Sequence, residues 1–413
     1  MPTPSAECPT ATPAETVSVD FFESPADYPS DWTADAERST LDFLNKFGGE
    51  RLAAELRRAG KDKVAYRSWG IRKPPWVYQD LTNDGVPEFA FAAIDVYVMG
   101  CNNGRYETLL HVHPDWNPGN LVGIAEIRDL NLDGVPEFVV LKHGGWHIDL
   151  YVYEWNGQTF DLMTRNDEFE YLYMQGGVES GPTEFDLTDI DGNGTFEIVF
   201  QGGIPTNFDR LYYGPWRVRT DLYEWNGSKY LLARESYSAA QYRFQAVQDG
   251  DRATRARHYE EALEHYQAAI FSDQLEWWSP ERSTYTSAKN EAEVQGQPAP
   301  TPPSNNPDEY YQLAAYSRYR IMLLHLLQGS LDGATVVYET LQARFSAGTP
   351  GNAYAEMAAE FWAEYQLSQN LPAACEKAID YARTHPEILT PLGSTYHGWQ
   401  SLNYQPSDVC FAP

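Results

Sequence analysis

Three segments of the chain carry acidic and amide side chains at one repeated spacing: Asp80-Leu-Thr-Asn-Asp-Gly-Val-Pro-Glu88, Asp129-Leu-Asn-Leu-Asp-Gly-Val-Pro-Glu137 and Asp189-Ile-Asp-Gly-Asn-Gly-Thr-Phe-Glu197. Side-chain oxygens fall at positions 1, 3, 5 and 9 of each: Asp80, Thr82, Asp84 and Glu88; Asp129, Asn131, Asp133 and Glu137; Asp189, Asp191, Asn193 and Glu197. The backbone carbonyl at position 7 (Val86, Val135, Thr195) adds a further oxygen, and Gly at position 6 permits the sharp reversal that gathers them around one point. A hard cation that takes about six to eight oxygens suits this set, so calcium is expected, with magnesium disfavoured by its stricter octahedral demand. An EF-hand is excluded, because position 12, where its bidentate Glu would stand, is Phe91, Val140 or Phe200. One such loop would be ordinary Asp/Asn/Gly turn chemistry. Three, each entering the same kind of strand, point to a metal. The first is expected to be the weakest, since the Thr82 hydroxyl is a poorer ligand than a carboxylate or an amide.

The elements that must hold these loops are readable beside them. Each loop runs into an apolar stretch, Phe89–Ile94, Phe138–Leu141 or Ile198–Phe200, of the kind found in strands covered on both faces. A second shared feature follows: Tyr151-Val-Tyr-Glu-Trp-Asn-Gly157 matches Leu222-Tyr-Glu-Trp-Asn-Gly227 and, more loosely, Tyr97-Val-Met-Gly-Cys-Asn-Asn-Gly104. Asn-Gly between such runs predicts a hairpin with a type I′ turn, which needs positive φ at both central residues. Each unit therefore reads as loop, buried strand, strand, Asn-Gly turn, strand. Over about residues 76–235 these loops and strands resemble the FG-GAP, or integrin-α-type, calcium-binding repeats of β-propellers. The resemblance implies a structural calcium at each loop, held by the positions named above. Propellers close with about 4–8 blades and only three units are found here. A fourth sheet from Val64–Trp69 and Trp76–Tyr78 is one way to complete the ring, and sheets that stack without closing are the other.

From about Ala239 the texture turns helical. His258–Ile270 places Tyr259, Ala262, Tyr266, Ala269 and Ile270 on one face and resembles the second helix of a tetratricopeptide repeat. Two later pairs, Glu309–Gln328 with Leu331–Phe345 and Ala353–Ser368 with Leu371–Arg383, turn at Gly329 and Asn370 and resemble it as well. Stacked helix pairs would leave a groove suited to a peptide or protein segment. A plain helical bundle is the alternative.

The expected fold class is therefore multidomain β plus α: a propeller-like antiparallel β repeat domain and a tetratricopeptide-like α-helical domain. The expected divisions are a Pro/Thr-rich linker (1–29), a helical segment (30–61) capped by Asp31 or Thr33, the β repeats (62–236) and the helical domain (237–413). Residues 279–307, rich in Pro, Ser, Asn and Gln, are expected to form a flexible loop. The linker reads as a spacer from an anchor or a removed leader.

A net charge of -29 makes nucleic acid and anionic membranes poor partners. No segment approaches the length of apolar residues that membrane insertion needs. The usual catalytic signatures (GxSxG, HExxH, Walker A, GxGxxG) are missing. His111 and His113 share a strand face and His143 and His147 flank a Gly-Gly turn, and these read as polar-face residues. The four cysteines, Cys8, Cys101, Cys375 and Cys410, have no metal-ligand spacing. A bond between Cys375 and Cys410 is expected, since a terminal segment frays unless tied. The reading that emerges is a secreted or cell-surface, non-enzymatic calcium-binding protein with a protein or peptide partner on its helical repeat. Its rival is a carbohydrate-binding or carbohydrate-active protein with Trp146, Trp155, Trp216, Trp225, Trp277 or Trp278 as stacking platforms, although Trp155 and Trp225, at equivalent repeat positions, are better explained as sheet packing.

Overall fold

A computed structural model describes residues 7–10, 19, 32–62, 73–93, 95–113, 121–144, 147–164, 172–175, 184–202, 215, 217–304, 306–393 and 404–411. The chain divides into two compact units, one of residues 1–206 with 218–236 and one of 207–217 with 237–413. The first is antiparallel β with a helical cover and the second is helical, so the fold is mixed β plus α.

In the first unit, helices α1 (Trp32–Phe47) and α2 (Gly49–Arg58) precede, among the described residues, three antiparallel sheets. The helical stretch breaks at Gly48, whose φ of 81° suits glycine, and a Cβ there would collide with the Pro9 carbonyl. The first sheet is β1 (Trp76–Gln79), β2 (Glu88–Ala92), β3 (Val96–Asn102) and β4 (Arg105–Val112), in chain order. The second is β5 (Leu121–Arg128), β6 (Glu137–Gly144), β7 (His147–Trp155) and β8 (Phe160–Leu162), with β9 (Leu172–Gln175) beside β8 on the same edge of β7. The third is β10 (Glu184–Thr188), β11 (Glu197–Gly202), β12 (Arg219–Trp225) and β13 (Tyr230–Tyr237).

Alternation along the strands that follow the Asp-rich loops explains their uniform hydrophobicity. Phe138 and Val140 of β6 face a core shared with Ala90, Val96 and Val98 of the first sheet. Val139 and Leu141 face the opposite core, shared with Ile198 and Phe200 of the third. On β2, Phe89 and Phe91 turn instead to α1 and α2, packing with Leu44, Leu52 and Leu56. Helices α1 and α2 of the expected helical segment thus cover the first sheet's outer face. The N-terminal stretch departs from a free spacer in two described places: Cys8 is bonded to Cys101 on β3, and Val19 is buried in the same core as α1. Asp31, Val64–Trp69 and the Thr33 side chain lie outside what is described. Trp76–Tyr78 belongs to β1, an outer strand of the first sheet.

The Asn-Gly turns are of two kinds. Asn103 (φ 51°) and Gly104 (φ 82°) link β3 to β4 as a two-residue turn with both φ positive. At Asn156 and Asn226 only the following glycine has positive φ. There the Asn Oδ1 accepts the backbone N–H groups two and three residues on, which widens the turn to four residues and overrides the I′ expectation.

The helical unit pairs α3 (Arg243–Arg255) with α4 (Tyr259–Phe271), α6 (Pro307–Leu327) with α7 (Leu331–Arg344), and α8 (Asn352–Ser368) with α9 (Leu371–Thr384). Tyr266, Ala262 and Ala269 are buried together, as their spacing predicts. At its centre the buried Asp251 carboxylate receives Arg320 Nε at 2.8 Å and the hydroxyls of Tyr266, Tyr316 and Tyr404. Tyr404 belongs to the C-terminal segment, which Cys375–Cys410 also ties down, as expected. The expected flexible loop 279–307 is corrected: Pro280–Val294 is a helix, α5. Its start carries a regular helix signal, Ser279 accepting the Arg282 N–H with Pro at the first turn, which the polar composition obscures. Among the described residues after it, 295–304 and Asn306 lie outside any helix.

Candidate functional site

Each Asp-rich loop joins the first strand of a sheet to the second, and all three close identically. Gln79 pairs with Glu88, Arg128 with Glu137 and Thr188 with Glu197, so the position-9 glutamate is the first residue of β2, β6 and β11. One Oε of each glutamate accepts the position-2 backbone N–H: Leu81 to Glu88 at 2.7 Å, Leu130 to Glu137 at 2.6 Å, Ile190 to Glu197 at 2.6 Å. One Oδ of the position-1 aspartate accepts the glycine N–H, from Gly85 to Asp80, Gly134 to Asp129 and Gly194 to Asp189, at 2.9 to 3.0 Å. The position-5 side chain accepts the position-7 N–H: Val86 to Asp84, Val135 to Asp133, Thr195 to Asn193. The glycines have φ of 86°, 95° and 94°, the left-handed backbone that their place in the pattern predicts.

Position 4 is left-handed too, at Asn83, Leu132 and Gly192. Leucine is costly in that region, so Leu132 shows that its loop is held by more than local preference. The spacing analysis passes over this position because its side chains, Asn, Leu and Gly, share nothing but backbone.

After these bonds are made, one buried oxygen in each loop has no hydrogen-bond partner: Asp80 Oδ1, Glu137 Oε1 and Asp189 Oδ1. Glu88, Glu137 and Glu197 are only 2%, 0% and 5% exposed. Burial pushes Glu88 up to about 7, helped by the charges of Asp84 and Asp80. Burial also pushes Glu137 up to about 8, helped by Glu154 and Asp129. Among the described residues no Lys, Arg or His is paired with Glu88 or Glu137, so nothing there offsets the burial of their charge.

The loops differ in how far their ligands converge. Asp189, Asp191 and Glu197 each bring an oxygen within 4.8 Å of the others; among the described residues neither Asp80, Asp84 and Glu88 nor Asp129, Asp133 and Glu137 do so. The Thr82 hydroxyl donates to Glu88 Oε1 at 3.3 Å. Asn131 donates through Nδ2 to Glu154 Oε2 at 2.5 Å.

Glu154 comes from β7, and burial followed by the Asp133 charge raises its pKa. Tyr230, on β13, is buried, and the charges of Glu137, Glu154, Glu197 and Asp129 add to the burial that raises its phenol. The second and third loops are thus neighbours: the Phe196 N–H donates to the Leu130 carbonyl, and the Leu132 side chain covers Gly194. Glu154 is missed by the loop pattern, yet it stands in the repeated Tyr-Glu-Trp-Asn-Gly, whose recurrence is the available signal. Trp155 and Trp225 of that repeat pack against Phe160 and Tyr230 with ring centroids 5.2 Å apart in both sheets.

Elsewhere, His143 is buried and lowered to about 4 by that burial, and His147 Nε2 lies 3.6 Å from Asp149, which pairs with Lys142 at 3.1 Å. Trp146 and Trp216 lie outside the described residues. In the helical unit a cleft of about 570 Å³ is lined by Trp277, Tyr285, Tyr310 and Tyr311 with Glu276 and Glu309. Glu309 is pushed up to about 7 by burial, and its Oε2 has no hydrogen-bond partner. Among the described residues no helix is long and apolar enough to cross a membrane. No protein-family model matches the chain, and no curated protein matches it.

Proposed function

We propose that the three Asp-rich loops bind calcium as a structural ion. In this reading the β unit is a set of FG-GAP-type, propeller-like repeats. The observation that carries it is the partnerless buried oxygen left in every loop after the shared hydrogen-bond scheme is complete. A buried charged carboxylate oxygen without a donor costs on the order of several kcal/mol unless a cation or a proton takes it up. The donor set is all oxygen: carboxylate, amide, hydroxyl and backbone carbonyl, which suits calcium over softer metals.

The protein as a whole is then a non-enzymatic calcium-binding scaffold, secreted or displayed at a cell surface. The two disulfides support export. The stacked helix pairs support a tetratricopeptide-like adaptor that takes a protein or peptide segment. Calorimetric titration with calcium, and melting with calcium or chelator, test the reading. Binding that raises the melting temperature of the β unit supports it, and identical melting curves with no heat of binding overturn it.

A second reading, carbohydrate binding, draws on the aromatic cleft around Trp277 with Glu276 and Glu309 beside it. Tryptophan fluorescence against a panel of oligosaccharides, with Trp277→Ala as the control, tests it; no saturable change discards it.

A further inference from the structure

One cluster outside the loops has ligand atoms of a different kind. Asp95 stands just before β3 and is 1% exposed. Its Oδ2 lies 2.7 Å from His111 Nε2 and its Oδ1 lies 2.8 Å from His113 Nδ1. The β3–β4 register sets this meeting: Val96 opposes Val112 and Tyr97 opposes His111, so His111 and His113 share the face that Asp95 reaches. Both imidazoles are open to solvent, with side-chain exposures of 43% and 62%. The three ligand atoms all fall within 4.8 Å of one another.

We propose that Asp95, His111 and His113 form a second metal site, for a zinc-class transition-metal dication, with the remaining coordination left to water on the exposed side. Two imidazoles and one carboxylate match the nitrogen–oxygen set that such ions take, whereas calcium prefers oxygen alone. Tetrahedral ligands bound at about 2.0–2.2 Å sit roughly 3.4 Å from one another; here the ligand atoms lie between 2.7 Å and at most 4.8 Å apart, so an ion entering between them displaces the two imidazole–carboxylate hydrogen bonds and shifts the side chains by about an ångström. Each oxygen of Asp95 meets a different imidazole, and the ligand atoms converge from two paired strands. Surface histidines on alternate residues do not in general share a buried carboxylate.

The surroundings hold the ligands in place. The Tyr97 hydroxyl donates to Asp95 Oδ2 at 3.3 Å. The Tyr97 ring stacks on His111 with centroids 4.5 Å apart and planes 13° from parallel, which fixes the imidazole's rotation. Such outer partners orient ligands and tune affinity. Three protein ligands and a water-facing side are the composition of an open site, whereas structural zinc sites are closed by four.

The test uses the full chain with its disulfides intact, saturated with calcium so that the Asp-rich loops are not free to take the probe. Zinc titration by calorimetry is expected to show one site, and cobalt in its place is expected to give visible d–d absorption. His111→Ala and His113→Ala should each weaken zinc by at least about a hundredfold, and Tyr97→Phe, a positioning change, by about tenfold. His258→Ala, on an exposed turn, should leave binding unchanged. His111→Gln with His113→Gln keeps amide donors for Asp95 while removing both imidazoles. Undiminished zinc affinity in that double variant, or no zinc or cobalt uptake by the unaltered chain, overturns the proposal.

Discussion

If Glu137 holds calcium as proposed, a proton and the cation compete for its carboxylate, and the competition has a sign that can be measured. The side chain is fully buried and held up to about 8, mainly by burial, then by Glu154 and Asp129. With its folded value raised above the ordinary 4.5, the ion-free folded state holds the proton more tightly than the unfolded chain between those two values. Stability must therefore fall as pH rises through that window, the reverse of a salt-bridged carboxylate. A rise from 4.5 to about 8, at about 1.4 kcal/mol per pH unit, sets the cost of the charged form at no more than about 5 kcal/mol above pH 8. Below pH 4.5 the cost vanishes. Glu88, raised to about 7, adds a smaller cost of the same sign.

Glu137→Gln removes the charge while keeping an oxygen for the Leu130 N–H. Without calcium at pH 8 the variant is expected to melt above the unaltered protein, and the gap should close as pH falls to 5. Taking the difference between the two cancels the general effect of a chain at -29. With calcium the order should invert, because the variant has lost a ligand. Calcium affinity at this loop should also rise about tenfold per pH unit up to about 8 and then level off, since only the ionised carboxylate binds. Scanning calorimetry at pH 5, 6.5 and 8, with calcium and with chelator, reads all of this. A variant that melts lower than the unaltered protein at pH 8 without calcium would refute the reasoning.

Three further outcomes are expected. Leu132→Asn should stabilise the β unit by about 1 kcal/mol, because its φ of 64° suits asparagine better than leucine; chemical denaturation measures it. Asp251→Ala should cost the helical unit about 3–5 kcal/mol by leaving Arg320 buried without its counter-charge, and the loss should be the same with or without calcium in urea titrations. Cys375→Ser with Cys410→Ser opens a bridge of sequence separation 35 and should lower stability by about 3–4 kcal/mol, read as a drop in the melting temperature of the helical unit.

What the residues disclose on their own follows from how local the physics is. The loops were legible because five positions of one short segment act on each other, and because three copies repeat the pattern. Phe138 to Leu141 announces a strand buried on both sides, but which residues face which core depends on neighbouring sheets and had to be seen. Helix α6 is evident from its hydrophobicity, while α5 is concealed by its polar composition despite the Ser279 cap. His111 and His113 are a visible pair, yet Asp95 stands just before β3, far from them along the chain, and only the β3–β4 register joins them. The same holds for Cys8 and Cys101, whose sequence separation is 93. Convergence of the third loop's carboxylates, absent from the other two among the described residues, also depends on side-chain orientation that spacing does not carry.

The common closure of the loops bears on what a cation there would do. Because the position-9 glutamate is both the loop's clasp and the first residue of the following strand, the loop geometry fixes the strand register: Gln79 to Glu88, Arg128 to Glu137, Thr188 to Glu197. A slip of one residue would exchange Phe138 and Val140 with Val139 and Leu141, each now fitted to a different core. Such a strand has no polar face to resist the slip, since both of its faces are apolar. The specification must then come from the turn, where the partnerless oxygens stand. A bound calcium would pull the position-1 aspartate and the glutamate to one centre and so hold the register that the apolar run cannot define alone. Removing it should therefore loosen the pairing of β1 with β2, β5 with β6 and β10 with β11 before the rest of each sheet. Amide hydrogen exchange with and without calcium would show this as lost protection confined to those pairs.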